Sequence, residues 1–274
     1  MKNLYNKSLK RRPKIEYIGE FFIRPIAFFV IQPLIQIRFK PHYLIFIHTI
    51  MGVIAGYLIA LGHFHVSALL IVLKTILDAA DGQLARATNQ VSNFGRYLDS
   101  EGDLLVNFAI FLGLGYYYQQ MAFSLFCFLA FTLILSLDFN LEFLYQQCRG
   151  EEFRQAEDTD MVHQRTTILL KKVYDFFFGF QDKIIRDFTN HRFNRIYSQN
   201  TETKNYFLRI YHEEISILIL SNMGLAGQMF LLSIFLIFGV PIYFLYCCVL
   251  YVFLIVALQL YREFRLKNHL KKQG

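Results

Sequence analysis

Asp78 and Asp81 stand three residues apart and Asp99 and Asp103 four apart, in a stretch reading Asp78-x-x-Asp81-Gly82-x-x-Ala85-Arg86, then eight residues, then Gly95-x-x-x-Asp99-x-x-x-Asp103. On a helix such spacings put both members of a pair on one face, so two successive helices can bring four carboxylates together. Carboxylates gathered beside apolar segments repel one another unless cations lie between them, and hard oxygen donors suit Mg²⁺ or Mn²⁺. The chemistry expected is metal-dependent work on a phosphate. Arg86 offers a planar fork of donors for a diphosphate or for one of the acids, and Gly95 is expected to let the link between the two helices turn tightly.

The elements that must position these residues are membrane helices. The chain has 274 residues, 55% of them hydrophobic, with 30 Phe and 17 Tyr, which is more apolar surface than a soluble core of this length requires. Apolar runs near 44–61, 66–85, 103–118, 121–139, 215–239 and 242–261 predict an all-α integral membrane bundle of six transmembrane helices. The second run reaches ~30 Å only by including Asp78 to Ala85, and the third begins at Asp99 and Asp103, so both acid pairs fall at one bilayer face. Lys2, Lys7, Lys10, Arg11, Arg12 and Lys14 before the first run, and Arg262, Arg265, Lys267, Lys271 and Lys272 after the last, put both ends and the acids on the cytoplasmic side.

Segment 17–40 is apolar but broken at Arg24-Pro25 and Gln32-Pro33, which suits a helix lying in the interface. The expected organisation is a cytoplasmic N-terminus with that interfacial amphipathic segment over 1–40, and four spans over 41–142 with the acid motif at 78–103. A cytoplasmic helical insertion follows over 143–213, then two spans over 214–262 and a basic cytoplasmic tail over 263–274. The insertion mixes charges (Glu151, Glu152, Arg154, Lys171, Lys172, Lys183, Arg186, Arg192) with apolar patches such as Val173 to Phe178, as amphipathic helices against a membrane or a partner would.

The acid spacing resembles the signature of the CDP-alcohol phosphatidyltransferases, also called CDP-alcohol phosphotransferases, of class I; every fixed position is met. The resemblance implies a membrane transferase of substituted phosphate groups. It would move a phosphatidyl or similar group from CDP-diacylglycerol or another CDP-alcohol to an alcohol acceptor, releasing CMP, in phospholipid biosynthesis. It implies two divalent cations, Mg²⁺ or Mn²⁺, on Asp78, Asp81 and Asp99. Asp103 is implied as the general base that also touches the second metal, and Gly82 and Ala85, with Arg86 and Gly95, as contacts for the CDP moiety. A homodimer in the cytoplasmic membrane, with membrane lipids as further partners, is expected from it as well.

Two other classes compete. A polytopic transporter would scatter its acids near the midplane or repeat its halves, and no repeat is visible. Membrane prenyltransferases also use Asp-rich motifs, but their motifs usually lie much further apart than the 17 residues between Asp81 and Asp99. The net charge of +7 is accounted for by basic membrane flanks, so no nucleic-acid partner is implied. Cys127, Cys148, Cys247 and Cys248 have neither zinc-site nor disulfide-framework spacing. His63-x-His65 and Glu157-Asp158-x-Asp160 read as solvated turns rather than metal sites, and Tyr116 to Tyr118 as interface anchors. Gly52-x-x-x-Gly56 reads as a close helix contact, internal or across a dimer. For the acceptor, Arg24 and the basic insertion favour a water-soluble phosphorylated polyol.

Overall fold

The computed structural model describes residues 2–9, 13–150, 164–197 and 203–273. Lys10, Arg11, Arg12, Glu151, Glu152, Arg154 and the Glu157-Asp158-x-Asp160 group lie outside them. The described residues form helices and no strand: α1 (Lys2–Ser8), α2 (Arg24–Gln36), α3 (Pro41–Ala60), α4 (Phe64–Ala87), α5 (Asn93–Tyr117), α6 (Met121–Gln147), α7 (Gln164–Tyr174), α8 (Phe180–Ile196), α9 (Lys204–Tyr211), α10 (Glu214–Asn222), α11 (Leu225–Ile237) and α12 (Ile242–Gln273). Short π-helical stretches, Gly19–Ile23 and Asp175–Gly179, lead into α2 and join α7 to α8.

Four stretches are long and apolar enough to cross a membrane, Pro41–Ala60, Met121–Gln147, Lys204–Ile237 and Ile242–Lys272, which makes this a multi-pass membrane protein. The third is not one rod, for α9, α10 and α11 meet at His212 to Glu213 and at Met223 to Gly224. α4 and α5, where two further spans are expected, are long enough at 24 and 25 residues. Lys74, Asp78, Asp81 and Arg86 on one, and Arg96, Asp99, Glu101 and Asp103 on the other, make them less apolar than the four.

α3, α4 and α5 pack around a shared core. Ala55 and Ile59 of α3, Ala68 and Ile71 of α4, and Val106, Ile110 and Leu114 of α5 are buried there with Phe131 of α6, Leu232 of α11 and Phe244 of α12. Small residues set how closely α3 and α5 approach. A Cβ on Gly56 would stand 2.6 Å from the backbone carbon of Ala109, and one on Gly113 would stand 2.2 Å from the carbonyl oxygen of Gly56. The Gly52-x-x-x-Gly56 pair is therefore an internal contact, with Gly52 set on Val106. Because backbone cannot swing aside as a side chain can, Gly113→Ala is expected to destabilise the protein by about 1–3 kcal/mol. A thermal unfolding midpoint in detergent equal to that of the wild type would refute this reading of the contact.

α2 lays Ala27, Phe28 and Ile31 on Ile76, Ala80 and Leu84 of α4 while Phe21, Phe22 and Phe29 stay exposed. The helix runs on through Pro33, so the Gln32-Pro33 break expected from the sequence does not end it. The insertion is folded against the bundle. Ser136 and Asn140 of α6 bond Gln181 and Asp182 of α8 at 2.8 and 2.6 Å, and Arg192 of α8 forms a fork of two 2.6 Å bonds with Glu263 of α12. Phe193, Tyr197, Phe207, Tyr211 and Leu266 close a small core beneath it.

Candidate active site

The acids meet where α4 ends and α5 begins. The chain leaves α4 through Asn89, whose φ of 57° reverses it, and Ser92 then caps α5 by accepting the backbone N–H of Gly95 at 3.1 Å. The tight turn expected at Gly95 is thus made at Asn89 instead, and Gly95 sits in the first turn of α5. An Asn in the left-handed region does there what a glycine was expected to do.

Asp78, Asp81 and Asp99 converge with His48 of α3 so that one ligand atom from each lies within 4.8 Å of all the others. His48 is fully buried, its Nε2 standing 2.9 Å from Asp81 Oδ2 and 3.9 Å from Asp99 Oδ1. Asp99 Oδ1 is shut from solvent without a hydrogen-bond partner, an orphaned acceptor of the kind a cation satisfies. Three carboxylates and an imidazole at this spacing fit a divalent metal.

Asp103 lies apart from that set. Its Oδ1 accepts a hydrogen bond from Lys74 Nζ, which also stands 3.5 Å from Asp78 Oδ2. Lys74 is 1% exposed, and an amine that deep is tolerated only because both carboxylates face it. Neither His48 nor Lys74 was singled out in the sequence. Lys74 had a signal, a lone cation in an apolar run four residues before Asp78; His48 had none, being 30 residues from the motif.

The residues expected to touch CDP flank the acids on α4. The guanidinium of Arg86 lies over Gly82, 3.2 Å from where a Cβ would be, and its Nε donates to the Ser8 carbonyl at 2.6 Å, while Lys7 caps the end of α4 at Ala87. Ala85 is half-buried beside them. α1 is therefore seated at the end of α4 that carries Gly82, Ala85 and Arg86.

On the other side of the acids, Asp99 and Asp103 border a cavity of about 460 Å³. Asn107, Ser136, Asp138 and Glu142 line it from the bundle, and Tyr174, Phe178, Asp182 and Arg186 from the insertion. Arg186 is aimed by a 2.6 Å bond to Asn140 and by packing over Phe143. Burial, and then the neighbouring Asp182 carboxylate, push the Tyr174 hydroxyl up to about 12, so at working pH it keeps its proton. Burial likewise raises the Asp182 carboxyl above the usual range, opposed by its bond from Asn140. Arg24 does not border this cavity; it is paired with Glu20 at 2.9 Å and Glu16 at 3.3 Å. His63 and His65 lie at the far end of α4 from the acids.

A multi-pass membrane protein with an acidic cluster that could hold a metal ion beside a polar cavity is the class this geometry defines. Residues 39–156 match the family model for CDP-alcohol phosphatidyltransferase. An archaetidylinositol phosphate synthase of Pyrococcus horikoshii is 35% identical over 105 residues, covering 38% of this chain and 52% of that protein. The chain thus spans about half the length of the curated relative it matches. No solved structure matches it.

Proposed function

We propose that this protein is a membrane phosphotransferase that moves a phosphatidyl-type group from a CDP-linked donor to an alcohol, releasing CMP, in phospholipid biosynthesis. The observation that carries the reading is the convergence of Asp78, Asp81 and Asp99 beside a cavity bordered by Asp103, within a domain of matching family. Two divalent cations, Mg²⁺ or Mn²⁺, held by the three aspartates would supply neutralisation of charge on the donor's diphosphate. Asp103 serves as general base. The acceptor oxygen attacks the phosphorus of the transferred group, its proton passes to Asp103, and the bond to the CMP oxygen breaks. Lys74 holds the Asp103 carboxylate in place for that transfer. Gly82, Ala85, Arg86 and Gly95 are assigned to the CDP moiety, with the Arg86 fork turned to its diphosphate.

The acceptor is proposed to be a phosphorylated polyol. Arg186 and Arg96, rather than Arg24, are the cations lining the cavity, and Arg186 is assigned to its phosphate, while Asn107, Asp138 and Glu142 suit hydroxyl groups. The relative's name, with archaetidylinositol phosphate as what it makes, points the same way. Purified protein offered labelled polyol phosphates, amino alcohols and diacylglycerol in parallel is expected to release CMP with the polyol phosphates, and Arg186→Gln to raise the acceptor KM about tenfold or more while leaving the KM for the CDP-lipid near its original value. CMP release only with amino alcohols or diacylglycerol would reject the acceptor assignment, and none with any acceptor would reject the function.

The membrane arrangement we infer has six spans, with α4 and α5 joining the four apolar stretches and α2 lying in the interface with Phe21, Phe22 and Phe29 toward lipid. Basic residues at both ends, and none in the links 61–63, 118–120 and 238–241, support a cytoplasmic active site in the inner membrane. Only 22% of the apolar window of α12 is buried, leaving a face for lipid and for the second copy of a homodimer.

A further inference from the structure

We propose that His48 is itself a metal ligand through Nε2, giving the cluster a nitrogen donor beside its carboxylates and a preference for Mn²⁺ over Mg²⁺; this rests on the metal-dependent reading above. The spacing fits a shared ion. In an octahedral shell with bonds of about 2.1 Å, neighbouring ligand atoms are about 3 Å apart and opposite ones about 4 Å. Nε2 stands 2.9 Å from Asp81 Oδ2 and 3.9 Å from Asp99 Oδ1. The first is the separation of an adjacent pair, and the second falls between adjacent and opposite, within reach of one ion.

The ring is placed for this role by its surroundings. His48 lies one turn before Gly52, and the approach of α3 to α5 through Gly52 and Gly56 carries it to the acids at the mouth of the bundle. Its Nδ1 is buried without a hydrogen-bond partner, so moving the ring proton there to free the Nε2 lone pair carries a cost that the bond from Nε2 to the ion must offset. Mg²⁺ takes oxygen ligands almost exclusively, whereas imidazole suits transition ions, so one nitrogen shifts selectivity toward them. An alternative role, in which Nε2–H only donates to Asp81 and orients it, would place no nitrogen on the ion.

Full-length protein carrying a purification tag without histidine, reconstituted in nanodiscs and loaded with Mn²⁺, would be examined by electron spin-echo envelope modulation. The expected result is a nitrogen coupling on Mn²⁺ that changes when the protein is grown with ¹⁵N-histidine. It should vanish in His48→Asn or His48→Gln with Mn²⁺ still bound, and persist in a His63→Gln, His65→Gln double variant. In parallel, the preference for Mn²⁺ over Mg²⁺ in competition should fall about tenfold in the His48 variants. Bound Mn²⁺ in the wild type without a histidine nitrogen would overturn this assignment and leave the proposed function standing. Failure of the wild type to bind Mn²⁺ would overturn this assignment, and failure to bind Mg²⁺ as well would overturn the metal-dependent function with it. Should neither His48 variant fold, a label-sensitive coupling that disappears in the double variant would place the nitrogen elsewhere and refute the assignment.

Discussion

Asp103→Asn is expected to lower metal-dependent CMP release from CDP-diacylglycerol by about 10²–10⁴-fold, the usual contribution of a positioned general base. The substitution keeps size and shape, and Asn can still accept the hydrogen bond from Lys74, but it cannot take the acceptor's proton at working pH. Asp103 stands outside the group of three aspartates and His48 that could share an ion, so affinity for that first Mn²⁺ should change little while kcat collapses. Asp78→Asn should differ, losing rate together with affinity for the ion. Steady-state rates at saturating acceptor, paired with Mn²⁺ titration, separate the two. A folded Asp103→Asn enzyme working within about tenfold of the wild type would rule Asp103 out as the base.

Lys74→Met should produce the largest loss of stability of any single substitution near the cluster. The Lys74 ammonium pairs with Asp78 and Asp103 from a position that solvent does not reach, and removing one partner of a buried pair typically costs about 3–5 kcal/mol. Met preserves the length and apolar character of the stem, so the cost is electrostatic rather than a cavity. The unfolding midpoint of the metal-free variant should fall by several degrees. Added Mn²⁺ should then raise it more than it raises the wild type, since a bound cation replaces charge the variant lacks. Equal midpoints without metal would mean that the pair adds nothing to stability.

How much of this was readable beforehand follows from the range over which each signal acts. The facing of Asp78 with Asp81, and of Asp99 with Asp103, is local helical geometry, so spacing alone conveyed it. Length conveyed α3, α6 and α12 equally well. What spacing could not convey was contact between elements. His48 reaches the acids only because Gly56 and Gly113 let α3 and α5 come together, and no pattern within α3 marks that residue out. The wall that Tyr174, Asp182 and Arg186 give the cavity depends on how the insertion folds back on α5 and α6, whereas its mixed composition reads as helices against a membrane or a partner. Arg24 illustrates the converse error. Its charge was counted toward a phosphate, but Glu16 and Glu20, eight and four residues earlier, hold it.

On the six-span arrangement proposed above, the bond between Lys74 and Asp103 also bears on how the chain enters a bilayer. Each charge alone raises the cost of moving its helix from the translocon into lipid by about 2.5–3.5 kcal/mol on insertion scales. Lys74 belongs to α4 and Asp103 to α5, and only a short link separates the two helices. Partitioned one at a time, α4 would pair Lys74 with Asp78 alone, while α5 would carry Asp103 into hydrocarbon without a cation; released together as a hairpin, Lys74 neutralises Asp103 before it meets lipid. Biogenesis of this membrane protein should therefore retain α4 at the insertion machinery until α5 has been synthesised, so the pairing of Lys74 with Asp103 first serves as a checkpoint in assembly.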